Sequence, residues 1–228
     1  MPSICVIIAG AGRSSRFAGS LGKIYLPIGS KPVFLWANDR FSEFREITQR
    51  LLVIRGEDLP MVRGRWGGEL EKRGVQLVAG GQRRFDSVRA ALAMVEPGAD
   101  LVAVHDAARP AVAQTAIAAA FTKAAQSGSA VVAQQVNQTL KQADAEGCLR
   151  HVADRGAYWL AQTPQVFKRE LLVRAYAAWP AGHDEPTDDA QVVEAFGQKC
   201  YLVPGGADNI KITTPEDLKL IQSILLDN

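Results

Sequence analysis

Short apolar runs rich in Val, Ile and Leu recur along this chain between segments of helical periodicity, and that alternation limits the folds open to it. Residues 4–9, 50–54, 75–78, 101–104, 130–135 and 201–203 read as strands. Between and after them, helical patterns cover 32–44, 86–95, 115–126, 169–179, 188–196 and 215–226, with Pro32 suited to a first helical position. Strands alternating with helices predict an α/β protein with a mainly parallel sheet flanked by helices. The stretch 136–165 breaks the rhythm. It is polar, lacks a helical stripe and holds the turn-like Asp144-Ala145-Glu146-Gly147 between strand-compatible flanks. We read it as a protruding β-hairpin arm, with a disordered loop as the alternative. With no internal repeat or linker, residues 1–228 parse as one domain that includes this arm.

Composition narrows the function. Hydrophobic residues make up 47% and charged residues 22%, which is ordinary globular usage. A net charge of +2 is too small to mark a nucleic-acid surface, so any functional positive charge must be local. The opening MPSICVIIAG has no basic leader and its apolar run stops at Gly10, which predicts a cytoplasmic chain without a membrane span. Cys5, Cys148 and Cys200 are odd in number and far apart, which suits reduced thiols.

The first strand runs into Gly10-Ala11-Gly12-Arg13-Ser14-Ser15-Arg16, and such a loop can present backbone N–H groups to an anion. A dinucleotide fingerprint would want glycine where Ser15 stands, and a Walker loop would want Ser or Thr where Ile24 follows Lys23. Both common nucleotide motifs fail. What remains is a glycine loop with Arg16 and Lys23 in one connection ending at Pro27, a set suited to a triphosphate. A tight turn with solvated charges would use the same residues. Val104-His105-Asp106-Ala107-Ala108-Arg109-Pro110 then places a carboxylate and a guanidinium just past a buried strand, where open α/β sheets bind ligands. Asp106 is a candidate magnesium ligand or a helix cap, and His105 reads as a satisfied core or turn histidine. No HExxH or paired-cysteine spacing points to a transition metal.

In order along the chain, AGAGRSSRF with Lys23, GGQRRFDSV at 80–88, VHDAARP, QTPQVF at 162–167, TDDA at 187–190 and DNIKIT at 208–213 resemble the 2-C-methyl-D-erythritol 4-phosphate cytidylyltransferase family. The resemblance runs from the first strand to the last helix. It implies a Rossmann-like fold and an enzyme of non-mevalonate isoprenoid biosynthesis that joins CTP to its acceptor, releasing pyrophosphate. It further implies that Gly10, Ala11 and Gly12 with Arg16 and Lys23 hold the CTP phosphates, and that Gly81, Gln82 and Ser87 read cytosine. Arg16, Lys23 and Lys211 would be the catalytic cations. Asp106, and more weakly Asp208, would hold Mg2+. Ala107, Arg109, Thr163, Thr187 and Lys211 would surround the acceptor. The arm would cross to a second subunit, so Thr139 and Arg155 would complete the neighbour's acceptor site in a homodimer. Similar motifs would serve a ribitol 5-phosphate cytidylyltransferase, and a catalytically silent nucleotide-binding homologue is a further alternative.

Three segments depart from the family's pattern. Gly22-Lys23-Ile24 stands where the family has Pro-Lys-Gln, and Gly10-Ala11-Gly12 where it has Ala-Ala-Gly. Glycine in place of proline adds roughly 1 kcal/mol of unfolded-state entropy, so Lys23 is expected to be poorly ordered until CTP binds. Arg83-Arg84 replaces the frequent Glu-Arg, and the sequence gives Arg83 no role.

Overall fold

A computed structural model of the chain describes residues 1–12, 22–180 and 182–226. Its strands are β1 (Ile4–Ala9), β2 (Pro27–Ile28), β3 (Lys31–Pro32), β4 (Ile47–Arg55), β5 (Val75–Gly80), β6 (Leu101–Asp106), β7 (Ser129–Gln135), β8 (Lys141–Ala143), β9 (Leu149–Val152), β10 (Trp159–Lys168) and β11 (Leu202–Pro204). The helices are α1 (Val33–Asp39), α2 (Leu59–Lys72), α3 (Arg84–Leu92), α4 (Gln114–Ser127), α5 (Arg169–Ala178), α6 (Asp189–Ala195) and α7 (Pro215–Leu226). A seven-stranded sheet in the order β11-β7-β10-β6-β1-β4-β5 forms the centre, and β2-β3 and β8-β9 are separate two-stranded sheets. Every neighbouring pair in the large sheet is parallel except those made by β10, which runs against both β6 and β7.

The continuous apolar runs follow from burial on both faces of the sheet. Along β1, Ile4, Val6 and Ile8 pack in one layer with Phe34 of α1, Val62 of α2, Ile117 of α4 and Ile221 of α7. Cys5 and Ile7 point the other way, into a layer with Val88 of α3, Leu172 of α5 and Val193 of α6. Among the described residues no helix is long and apolar enough to cross a membrane.

Two elements escape the sequence patterns. Helix α2 carries Pro60 and three glycines and buries only Val62 and Leu70, so neither propensity nor a broad apolar stripe announces it. Tertiary packing holds it instead, with Trp66 stacked on Tyr25 at 5.8 Å and edge-on to Phe34 at 5.3 Å. Strand β10 is hidden by Gln162-Thr163-Pro164-Gln165, because a proline argues against a central strand. Pro164 is accommodated where the ladder to β7 is interrupted between Ala161 and Gln165. The excursion expected over 136–165 is therefore shorter. Residues 159–165 lie in the large sheet, and the hairpin β8-β9, exposed along its whole length, projects from the 136–158 segment.

Candidate active site

The carboxyl ends of β1, β4, β5 and β6 open onto one edge of the sheet, and the loops that leave them pack together. A Cβ on Gly10 would fall 2.8 Å from Ile24 Cδ1 and 3.0 Å from Val53 O, so only glycine lets the first loop lie this low. One on Gly80 would fall 2.5 Å from Ala11 Cβ, which sets that loop directly against the first. Lys23 begins a short 3-10 turn whose next two residues, Ile24 and Tyr25, are buried. Tyr25 donates to Asp58 Oδ2 at 2.8 Å and stacks on Trp66. The turn that carries Lys23 is fastened from behind by this aromatic packing. Gly22 has φ −61° and ψ 146°, a conformation that proline would also adopt.

Three hollows share walls along this edge. One of about 400 Å³ lies between Ala11, Arg55, Glu57 and Gly80–Gln82. A second, about 280 Å³, is lined by Gly10, Ala11, Gly12, Lys23 and Ser87. A third, about 160 Å³, is lined by Arg109, Gln162, Thr163, Thr187 and Asp188. Ala11 belongs to the first two. Arg84, Asp106 and Lys211 line both the second and the third.

Asp106 ends β6 and is 6% exposed. Lys211 Nζ lies 2.8 Å from its Oδ2, Arg84 Nε 3.4 Å from its Oδ1, and Arg109 Nε stands off at 3.6 Å. Burial alone would raise this carboxyl; Arg84 first, then Lys211 and Arg109, hold it well below the usual carboxylate range. It is ionised at neutral pH. Lys211 is brought there by its own loop: Arg109 Nη1 donates to Asn209 O at 2.7 Å, and the Ile212 N–H to Ala108 O at 2.8 Å. His105 sits behind, fully buried, its imidazole pushed down to about 4 by that burial. Its Nε2 faces the Arg109 carbonyl at 2.9 Å, which can only accept, so Nε2 carries the proton and Nδ1 accepts from the Thr163 hydroxyl at 3.0 Å. The same Thr163 Oγ1 accepts the Asp106 N–H at 3.1 Å.

The sequence matches the family model of 2-C-methyl-D-erythritol 4-phosphate cytidylyltransferase over residues 4–227. The chain belongs to this family. It is 38% identical over 234 residues to the Rhodopirellula baltica enzyme of that name, covering 98% of this chain and 95% of that one. The counterpart of the same name from Endomicrobium trichonymphae is 37% identical over 220 residues, 96% of this chain and 97% of its own. Among solved structures, the 4-diphosphocytidyl-2C-methyl-D-erythritol synthase of Anaerococcus prevotii superposes with a TM-score of 0.85 at 28% identity, covering 98% of each chain.

The residues that the family resemblance singles out divide among the three hollows, with exceptions. Gly81 and Gln82 line the first, Gly10, Ala11, Gly12, Lys23 and Ser87 the second, Arg109, Thr163 and Thr187 the third, and Lys211 and Asp106 the junction. Arg16 lies outside the described residues. Ala107 is fully buried, gives its N–H to Ala9 O at 2.9 Å, and lines no part of these hollows. Thr163 commits its only O–H to His105, and Ser87 braces its loop by accepting the Gly81 N–H at 3.1 Å and donating to Arg83 O at 3.0 Å. Asp208 is exposed and lines none of them. Thr139 and Arg155 are exposed on the arm, where Arg155 Nη1 donates to Asn137 O at 2.8 Å, and they too line none.

Arg84 was missed as a site residue. Its neighbour Arg83 is exposed and pairs with Asp86 at 2.9 Å, whereas Arg84 turns inward to Asp106 and, through Nη2 at 2.7 Å, to the fully buried Asp189. Arg84 and its two partners lie in motifs that the sequence displays, GGQRRFDSV, VHDAARP and TDDA. Only the fold shows that these motifs meet.

Proposed function

We propose that this chain transfers the cytidylyl group of CTP to 2-C-methyl-D-erythritol 4-phosphate, giving 4-diphosphocytidyl-2-C-methyl-D-erythritol and pyrophosphate in non-mevalonate isoprenoid biosynthesis. The observation that carries this reading is the shared wall of Arg84, Asp106 and Lys211 between a glycine-lined hollow and a polar one. Two anionic substrates meeting there would face cations from both sides.

An oxygen of the acceptor phosphate attacks the α-phosphorus of CTP, a new P–O bond forms, and the bond to the β-phosphate oxygen breaks with its electron pair leaving on pyrophosphate. The acceptor phosphate is already ionised near neutral pH, so no side-chain base is needed. Backbone N–H groups of Ala11 and Gly12 with Lys23 hold the triphosphate, the expected Gly10 N–H being committed instead to Val53 O at 2.8 Å, and Lys211 stabilises charge that grows on the transferring phosphate. Arg16 joins the cations on the family resemblance alone. Cytosine lies against Gly80–Gln82, where backbone groups read its amide edge.

The donors suit Mg2+ in one respect: Asp106 offers an ionised carboxylate at the junction, and a hard cation takes one or two carboxylates with phosphate oxygens and water. Among the described residues no group of three or more His, Cys, Asp or Glu could hold a metal ion, and Asp208 is exposed, which favours an ion carried in by the triphosphate. When bound, Mg2+ would neutralise phosphate charge as a Lewis acid.

The arm exposes Leu149, Val152 and Tyr158, each at least 50% accessible, which supports a second copy of the chain as its cover. In that homodimer Thr139 and Arg155 serve the neighbour's acceptor hollow, a guanidinium being suited to a phosphate. A chain with this equipment and no membrane helix among its described residues works in the cytoplasm. The deciding experiment incubates the protein with CTP, Mg2+ and either 2-C-methyl-D-erythritol 4-phosphate or ribitol 5-phosphate and follows pyrophosphate. Release with the first acceptor is expected; release with ribitol 5-phosphate alone, or with neither, would overturn the reading.

A further inference from the structure

Asp189 spends a fully buried carboxylate at a site where none of the proposed chemistry uses it. Its Oδ2 takes Arg84 Nη2 at 2.7 Å and its Oδ1 takes the Tyr176 hydroxyl at 2.5 Å. Tyr176 is 4% exposed and its ring stacks on Phe85 at 4.7 Å, so the residue beside Arg84 in α3 is gripped by the residue that holds Asp189. The Arg84 backbone N–H is fixed as well, donating to Glu185 Oε1 at 2.7 Å. Nothing in protein stability requires this arrangement, since apolar residues of similar volume commonly replace a buried ion pair without loss.

The geometry of Arg84 explains it. A guanidinium with only Asp106 beside it would close into a tight pair with that carboxylate. Here Nε stays 3.4 Å from Asp106 because Nη2 is drawn to Asp189. Among the described residues no other group accepts from the guanidinium. Two of its five N–H groups are thus engaged, and the others remain on the wall that separates the two proposed subsites.

We propose that Asp189, braced by Tyr176, is a positioning residue that keeps Arg84 at the junction of the two hollows, where Arg84 is a catalytic residue contacting the transferring phosphate. This deepens the cytidylyl-transfer reading and rests on it for the catalytic half alone; the positioning half concerns the free protein. Arg84 is then a cation of the same kind as Lys211, placed by a buried anion instead of by its own loop.

The test is a double-mutant cycle of Arg84→Lys and Asp189→Asn. Each single change should lower kcat about 10-fold to 100-fold with KM for CTP within about 3-fold, because charge on the transferring phosphate peaks after the ground state. The double variant should be no slower than Arg84→Lys, since Asp189 acts only through Arg84. Multiplying losses, or an unchanged kcat in Asp189→Asn, would overturn the proposal. Should Asp189→Asn fail to fold, Tyr176→Phe, which removes only the hydroxyl brace, should still lower kcat about 3-fold and add nothing to Arg84→Lys; an unchanged kcat there overturns it equally. In the free protein, the arginine side-chain 15N signal that vanishes in Arg84→Lys should be exchange-protected in wild type and lose protection in Asp189→Asn or Tyr176→Phe; retained protection refutes the positioning. If wild type releases no pyrophosphate with either polyol phosphate, cytidylyl transfer and Arg84's catalytic role fail together, whereas this spectrum still decides what Asp189 does.

Discussion

Replacing Thr163 by Val keeps the shape of the side chain and removes one hydroxyl, which in this protein serves two buried partners at once. The Asp106 N–H would lose its acceptor at 3.1 Å and His105 Nδ1 its donor at 3.0 Å, and Thr163 itself is only 4% exposed, so water cannot easily replace it. Leaving a buried polar group unpaired costs about 1–3 kcal/mol, so two such groups cost roughly 2–6 kcal/mol. For a chain of this length each kcal/mol moves the melting temperature by about 2–4 °C, which gives a fall of roughly 4–24 °C. Thermal unfolding followed by circular dichroism at pH 7 measures it directly. Thr163→Ser, which keeps the hydroxyl, should lose much less. A Thr163→Val protein melting within about 2 °C of wild type, with only its KM for the acceptor raised, would refute the bridging role and return Thr163 to simple acceptor contact.

Lys23→Ala and Lys211→Ala should each lower kcat on the order of 100-fold while weakening CTP much less; a change confined to KM for CTP would make the lysine a ground-state binder. Gly22→Pro should raise the melting temperature by about 1–4 °C, because φ −61° already suits proline and the substitution restricts only the unfolded chain; a lower melting temperature would show that the position needs glycine. Arg155→Ala and Asp106→Asn chains, each nearly inactive alone, should recover activity when mixed and allowed to exchange subunits, since one site of each heterodimer keeps both residues. No recovery despite demonstrated exchange would place Arg155 outside the neighbour's site.

The parallel core was legible because burial on both faces writes itself as continuous apolar runs, and β1 matches its expected bounds of Ile4–Ala9. The glycine loop and the Asp106 segment were legible because close backbone approach and a charge past a buried strand leave local marks. Strand β10 was not, since its polar residues face the site and Pro164 sits where the ladder breaks. Helix α2 was hidden for the opposite reason: its stability comes from Trp66 meeting Tyr25 and Phe34, a long-range contact that no local pattern contains. Arg84 shows the limit for sites. Its motif was visible, but its choice of Asp106 and Asp189 over solvent depends on residues 22 and 105 positions away in sequence.

The antiparallel insertion of β10 between β6 and β7 has a consequence for the order in which the protein is made. Strands β1, β4, β5 and β6 can assemble once residue 106 has emerged from the ribosome, but β7 has no place beside them until residues 159–168 follow. The arm is therefore translated before the strand that anchors its base, and its apolar residues wait for that strand. The Asp106 N–H waits with them, because its acceptor is Thr163. A nascent chain halted at residue 155 should thus hold a protected parallel half while β7 exchanges its amide hydrogens freely; protection of β7 at that length would show that it finds another partner first.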